Sequence, residues 1–348
     1  MKYLLAISIL IFFYEPSRAQ TKTPNWNDST AMINWMHQSK VPALGVAYIE
    51  KGRSKVMKIY GDRKTGSPAL LNTVFNVASI TKTITILVTL NLVNAGKWTL
   101  DGPVAGYWTD PDLKNDLRSR KLTTRDILTH RTGFPNWRSE LPQAKLTFLA
   151  DPGIKYGYSG EGFEYLRHAL ENKFHRTLEQ LADSVIFKPL DMKDTRLTWD
   201  EAEEPRFAFP FDKQGQPLEP TRNTHANAAD LMKTTLPDYT KFIQWVISGG
   251  GLSKSLFKQM TSHQVNTKAG VYMGLGWAVY DPIGDGEYAI SHSGHDPGVH
   301  TIVFVLPKSK RALIIFTNSD NGIALYPDLI VVFLGRQGQT IVDTETKR

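Results

Sequence analysis

The sequence predicts an α/β fold: an antiparallel five-stranded sheet flanked by terminal helices, with a mainly helical region inserted between its second and third strands. Three observations predict it. Two apolar, β-rich segments sit near the start, at residues 44–49 and 55–60. Three more sit near the end, at residues 288–292, 301–306 and 312–317, and the long stretch between reads as helix and loop. With no internal repeat, low-complexity tract or linker, the sheet part and the helical part are interleaved rather than strung in series.

In chain order, residues 28–38 form an opening helix, and the Lys51-Gly52 turn joins the first two strands into a hairpin. Helical spacing follows in Leu87, Leu90 and Leu92, then in residues 163–174, 178–187 and 239–247. Turns at Asp296-Pro297-Gly298 and Pro307-Lys308-Ser309 separate the last three strands. Residues 324–334 close the fold as a helix, in which Pro327 fits only within the first turn. The sheet part thus spans about 20–75 and 265–348, and the helical region about 76–264. A junction of this kind favours an active site.

Residues 1–19 differ from the rest: a basic start at Lys2, an apolar run over 3–14 and small residues around Ser17 and Ala19 read as a cleaved secretory signal peptide. The apolar run is shorter than the ~20 residues a spanning helix needs. The catalytic chain then covers 20–348, secreted or periplasmic, with no membrane span. The formal charge of +7 is spread without a basic block, so nucleic acid is not an expected partner. With 0 cysteines the chain has no disulfide, thiol nucleophile or thiolate metal site.

The sharpest chemical signal is Ser79-Ile80-Thr81-Lys82 at the start of an apolar helix. A spacing of three puts serine and lysine on one helical face, where the amine reaches the hydroxyl. A serine hydroxyl needs such a neighbour to become nucleophilic at neutral pH. The helix start adds backbone N–H groups and the positive dipole end near a developing oxyanion. Ser255-Leu256-Phe257-Lys258 repeats the spacing and is read as an exposed helix face; Lys64-Thr65-Gly66 is read as a surface turn.

With Tyr158-Ser159-Gly160 and His292-Ser293-Gly294 following in order, the chain resembles the serine β-lactamase and D,D-peptidase (penicillin-binding) superfamily, nearest the class C β-lactamases and related esterases. Leu122 to Gly133, Pro189-Leu190-Asp191-Met192 and Gly274-Leu275-Gly276-Trp277 resemble it too, so that the likeness runs over residues 35–318. The resemblance implies a β-lactamase-like sandwich and an acyl-enzyme on Ser79, with Lys82 and Tyr158 sharing the proton traffic. Which of the two is the base stays open, and Tyr156 is the rival match for the tyrosine. His292 takes the place of the family's lysine, bonding a substrate carboxylate or carrying a proton. The backbone N–H groups of Ser79 and His295 form the implied oxyanion hole, and Gly160, Ser293 and Gly294 border the substrate.

Two departures bear on substrate. Gly160 stands where the family has an asparagine that holds an acylamino group, and His292 replaces a fixed positive charge with a group of ordinary pKa about 6.5. Reaction type is therefore better defined than substrate: β-lactam, D-alanyl amide or ester, as a small molecule or a cell-wall peptide. Acyl transfer to an amine or alcohol, and a penicillin-binding sensor that acylates without turnover, are the alternatives. A zinc site from His292, His295 and His300 lacks the carboxylate and spacing of known zinc motifs, and no cofactor is expected.

Overall fold

A computed structural model describes residues 23–346, so the signal-peptide assignment at 1–19 lies outside the described residues. Helix α1 (Ser29–Gln38) opens the fold, capped by the Asp28 carboxylate accepting the Ala31 N–H. Its Met32, Trp35 and Met36 recur at three- and four-residue spacing and bury one face against the sheet. Strands β1 (Ala43–Glu50), β2 (Arg53–Lys64) and β3 (Ser67–Pro68) follow. A second, two-stranded sheet pairs β4 (Val74–Asn76) with β5 (Lys233–Thr235), and this small sheet leads the chain into the Ser79 turn.

The helical region holds α2 (Thr81–Asn94), α3 (Thr124–Leu128), α4 (Gly160–Phe174), α5 (Leu178–Ala182), α6 (Leu236–Ile247) and α7 (Lys254–Met260). Helix α2 is enclosed on every side, with eleven of its 14 residues buried. That enclosure explains why its apolar stripe is diffuse in the sequence. Its threonines are satisfied internally: Thr83 donates to the Ile80 carbonyl at 2.7 Å and Thr85 to the Ala228 carbonyl at 2.8 Å.

The chain returns through β6 (Val265–Lys268), β7 (Val271–Met273), β8 (Ala278–Tyr280), β9 (Ala289–Asp296), β10 (Val299–Leu306) and β11 (Arg311–Thr317). These complete one antiparallel sheet in the order β3-β2-β1-β11-β10-β9-β8-β7-β6. The N-terminal hairpin joins the C-terminal strands through β1 and β11, in register from Leu44↔Thr317 to Ile49↔Ala312. Alternate residues of β10 face opposite ways: Ile302 and Phe304 pack towards α1 and the last helices, Val303 and Val305 towards α2 and α6. Both faces are covered, which is why this strand reads as a continuous apolar run.

The sheet therefore has nine strands, not five. The additions β3, β6, β7 and β8 are two to four residues long, too short to display an alternation. The end of the chain also differs from expectation. Residues 322–325 form a 3₁₀ turn, α8 (Tyr326–Leu334) starts with Pro327 in its first turn, and Gly335 at φ +62° turns the chain into a further helix, α9 (Arg336–Thr346). The predicted helix over 178–187 is α5 continued by a π turn, Asp183–Phe187. No helix among the described residues is long and apolar enough to cross a membrane.

Candidate active site

Ser79 lies in a 3₁₀ turn, Ala78–Ile80, that runs directly into α2. Ala78 before it sits at φ +48°, a left-handed conformation that costs a residue with a Cβ ~1–2 kcal/mol. Two bonds hold it there: its N–H donates to Asn76 Oδ1 at 3.0 Å, and Thr81 Oγ1 donates to its carbonyl at 2.6 Å. The turn presents Ser79 to a cleft of about 240 Å³ between the sheet edge and the helical region.

One turn on, Lys82 is fully buried, and its Nζ donates to Ser79 Oγ at 3.1 Å and to the Ala229 carbonyl at 2.8 Å. Burial lowers its pKa to about 8, against the opposing charges of Asp230, Asp296 and Glu164. The ammonium also lies 4.7 Å from the centre of the Tyr158 ring. Tyr158 hydrogen-bonds Ser79, yet burial pushes its phenol well above the ordinary value and the charges of Asp230 and Asp296 push the same way. The phenol is held neutral, because desolvation and two acids outweigh the hydrogen bond from Ser79.

Tyr158 is fixed by the loop that ends at α4. The Ser159 hydroxyl caps that helix by accepting the Gly162 N–H at 3.0 Å and donates to the Pro135 carbonyl at 2.7 Å. The His130 ring stacks on Tyr158 at 4.4 Å, and its Nδ1 accepts the Ser159 N–H at 3.2 Å. Burial holds His130 well below the ordinary histidine range, so it acts as a neutral, fixed support. Tyr156 also lines the cleft, but it is Tyr158 that bonds Ser79.

His292 stands on β9 facing the cleft, with Nδ1–H donating to its neighbour's carbonyl, Ser293 O, at 2.8 Å. Burial first, then the Lys82 charge, lowers its pKa to about 3. The sequence expectation that acidification makes His292 a cation for a substrate carboxylate is overturned: the imidazole stays neutral at any pH near neutrality, with Nε2 as an acceptor. Gly294 is required by close packing, since a Cβ there would lie 2.3 Å from the Val77 carbonyl oxygen and 2.5 Å from Thr301 Oγ1. Strand β9 is thereby pressed against the Ser79 turn. Pairing of β8 with β9 ends at Ser291, so among the described residues the stretch from His292 to Asp296 pairs with β10 on one side and has no strand on the other. Ser293 and His295 line the cleft from that edge.

Gly160 answers a different need. A Cβ at this position would meet three carbons of the Trp137 indole at 2.6, 2.7 and 2.9 Å. Trp137 thus fills the space into which an asparagine side chain would project. Its neighbour Asn136 lines the cleft too, with Oδ1 accepting the Gly160 N–H at 2.9 Å. Arg138 anchors the segment through Asp110 at 2.7 Å and Glu161 at 2.9 Å.

Ser255 is on the exposed face of α7 and the Lys64-Thr65-Gly66 turn is exposed between β2 and β3. His295 and His300 stack on each other at 4.3 Å, and no group of three His, Asp or Glu side chains among the described residues is placed to hold a metal ion. Sequence reasoning missed Trp137, Asn136, Asp230 and the role of Asp296, all of which line the cleft. The last two are an acidic pair brought together from positions 66 residues apart, roughly a fifth of the chain, with no shared motif.

The family model named Beta-lactamase matches residues 30–330. The chain belongs to that family and is a serine hydrolase of the β-lactamase and penicillin-binding type. A β-lactamase of Yersinia enterocolitica is 24% identical over 355 residues, covering 93% of this chain and 88% of the relative. The D-alanyl-D-alanine-carboxypeptidase/endopeptidase AmpH of Escherichia coli K12 is 24% identical over 314 residues, covering 80% of each. In fold, the chain is similar to the octameric penicillin-binding protein homologue from Pyrococcus abyssi, with a TM-score of 0.76, 22% identity, and coverage of 89% of this chain and 77% of that one.

Proposed function

We propose that this protein is an exported hydrolase that cleaves an ester or activated amide through an acyl-enzyme on Ser79, β-lactams, D-alanyl amides and simple esters being the candidate substrates. The observation that carries the reading is Lys82 Nζ at 3.1 Å from Ser79 Oγ with a pKa lowered to about 8. At pH 7 roughly a tenth of the molecules then carry the free amine, enough for a general base, whereas the Tyr158 proton is held tightly.

In the proposed reaction the Lys82 amine takes the Ser79 proton as Oγ bonds the substrate carbonyl carbon. The carbonyl oxygen becomes an oxyanion facing the backbone N–H groups of Ser79 and His295. Collapse breaks the bond to the leaving group, which receives its proton from Tyr158, and Lys82 reprotonates the phenolate. Water then attacks the acyl carbon and gives a proton to Lys82. Ser79 Oγ leaves and recovers its hydrogen, releasing the acid. Neutral His292 offers Nε2 to a hydrogen of substrate or water rather than a charge.

Replacing Ser79→Ala tests the assignment: hydrolysis of a penicillin, a D-alanyl peptide and a nitrophenyl ester should all be lost, while Ser255→Ala keeps whatever activity the wild type has. Hydrolysis surviving in Ser79→Ala would place the nucleophile elsewhere.

A further inference from the structure

Two acidic side chains line the cleft beside Ser79. Among the described residues no Lys or Arg lines it, and its carboxylates are Asp230 and Asp296. Asp230 follows Ala229, the residue whose carbonyl accepts from Lys82. Leu231, at φ +65°, folds its N–H back onto Asp230 Oδ1 at 2.8 Å. Asp296, at the end of β9, accepts Asn76 Nδ2 on Oδ2 at 2.7 Å. The two carboxyl groups also bond each other, which requires a shared proton; burial and the Asp296 charge accordingly hold Asp230 well above the usual carboxylate range.

Two lysines lie behind this wall. Lys82 is 0% and Lys233 2% exposed; the first is turned to Ser79 and the second to Asn223 Oδ1. Neither forms an ion pair with Asp230 or Asp296 among the described residues. The Lys82 charge opposes the upward shift of Asp230 without cancelling it, and a molecule in the cleft touches the carboxylates rather than the lysines. Ser291, fully buried, lines the same cleft, and its Oγ has no hydrogen-bond partner among the described residues. An unsatisfied hydroxyl at a cleft wall is a group that a bound ligand completes.

We propose that Asp230 and Asp296 make this cleft selective for acyl substrates carrying an ammonium group, and that it discriminates against those carrying a carboxylate. This rests on the acyl-enzyme reading above and narrows it to a substrate class: esters or amides with a protonated amine or quaternary nitrogen within a few bonds of the scissile carbonyl. An ammonium bound to both acids takes the place of the shared proton, which leaves to solvent. With two carboxylates and, among the described residues, no third metal-ligating side chain grouped with them, the pair suits an organic cation.

The test is a set of esters differing in charge: nitrophenyl butyrate (neutral), nitrophenyl 4-trimethylammoniobutyrate (cationic acyl group), butyrylthiocholine (cationic leaving group) and mono-nitrophenyl glutarate (anionic). Hydrolysis of butyrylthiocholine is compared with that of its uncharged thioester analogue. In the wild type, kcat/KM should favour at least one cationic ester over its neutral counterpart by ~10-fold or more, within the range of one close charge pair, and disfavour the anionic ester by a similar factor. The Asp230→Asn/Asp296→Asn double variant should bring these ratios to within ~3-fold of one, and each single variant to between. Ratios are insensitive to the fraction of folded enzyme. If the double variant does not fold, raising the salt to ~0.5 M should shrink the wild-type ratios. Wild-type ratios near one, a preference for the anionic ester, or ratios unmoved by both the variants and salt would overturn the proposal. Ser79→Ala separates the two readings. If it abolishes neutral-ester hydrolysis while charge has no effect, only the selectivity fails; if it leaves ester hydrolysis intact, the acyl-enzyme reading fails and the selectivity built on it falls too.

Discussion

Adding a single methyl group at Gly160 tests how the tyrosine loop is packed. In Gly160→Ala the new Cβ would lie 2.6–2.9 Å from three atoms of the Trp137 indole, well inside van der Waals contact. Helix α4 cannot retreat, because Ser159, Gly160 and Glu161 are each bonded to the Pro135–Asn136 segment that carries the tryptophan. The indole has to move, and Arg138 behind it is tied to Asp110 and Glu161. Overpacking of this kind costs ~1–3 kcal/mol. With an unfolding entropy of ~2.1 cal/mol/K per residue, a chain of this size shifts by roughly 1.4 °C per kcal/mol, so the melting temperature should fall by ~1–4 °C. A ring displaced into the cleft should also lower kcat/KM for bulky acyl groups more than for acetyl esters. The Trp137→Ala/Gly160→Ala double variant should be less destabilised than the sum of the two single variants by ~1 kcal/mol or more. Thermal denaturation and ester kinetics on all three proteins decide it. Strict additivity with an unperturbed Gly160→Ala would mean that the indole does not occupy the space beside Gly160, and an asparagine placed there would then be free to act.

Three further outcomes follow from the proton inventory. The kcat/KM for a neutral ester should rise with pH and level off above about 8, since the Lys82 ammonium is inert below its lowered pKa and the amine is available above it. A profile governed by a midpoint near 6.5 would contradict that, as would a Lys82→Ala protein within ~10²-fold of wild type. Tyr158→Phe should lose ~10²-fold or more and Tyr156→Phe less than ~10-fold, the reverse order pointing to Tyr156 as the acid. Carbon-13 shifts of the His292 ring should remain those of the neutral Nδ1–H form from pH 8 down to pH 5, because burial and Lys82 hold its pKa at about 3. Titration with a midpoint near 6.5 would restore the carboxylate-binding role that its burial removes.

The reach of the sequence follows from how locally each feature is encoded. The hairpin β1–β2 and the three strands β9–β11 are seven to twelve residues long, and their runs of β-branched residues are visible without any partner. Ser79 and Lys82 share one helical turn, and Tyr158 and His292 carry small neighbours that mark them. Strands β6, β7 and β8 had too few residues to register, so the sheet was expected to be narrower. The environment of the site was less legible still. His292 is neutral because of what buries it, Tyr158 is held protonated by burial first and then by acids at positions 230 and 296, and the Gly160 position is governed by an indole 23 residues earlier, roughly one loop away. Composition at one position cannot report a neighbour supplied by tertiary structure.

The central claim is the covalent intermediate, and time-resolved intact-mass measurement tests it most directly. Mixed with a penicillin, a D-alanyl peptide and esters of each charge, the wild-type protein should gain the mass of the acyl group from at least one of them and then lose it, with peptide mapping locating the adduct on Ser79. An adduct that never clears would contradict turnover, and one mapped to another residue, or formed equally by Ser79→Ala, would contradict the nucleophile itself.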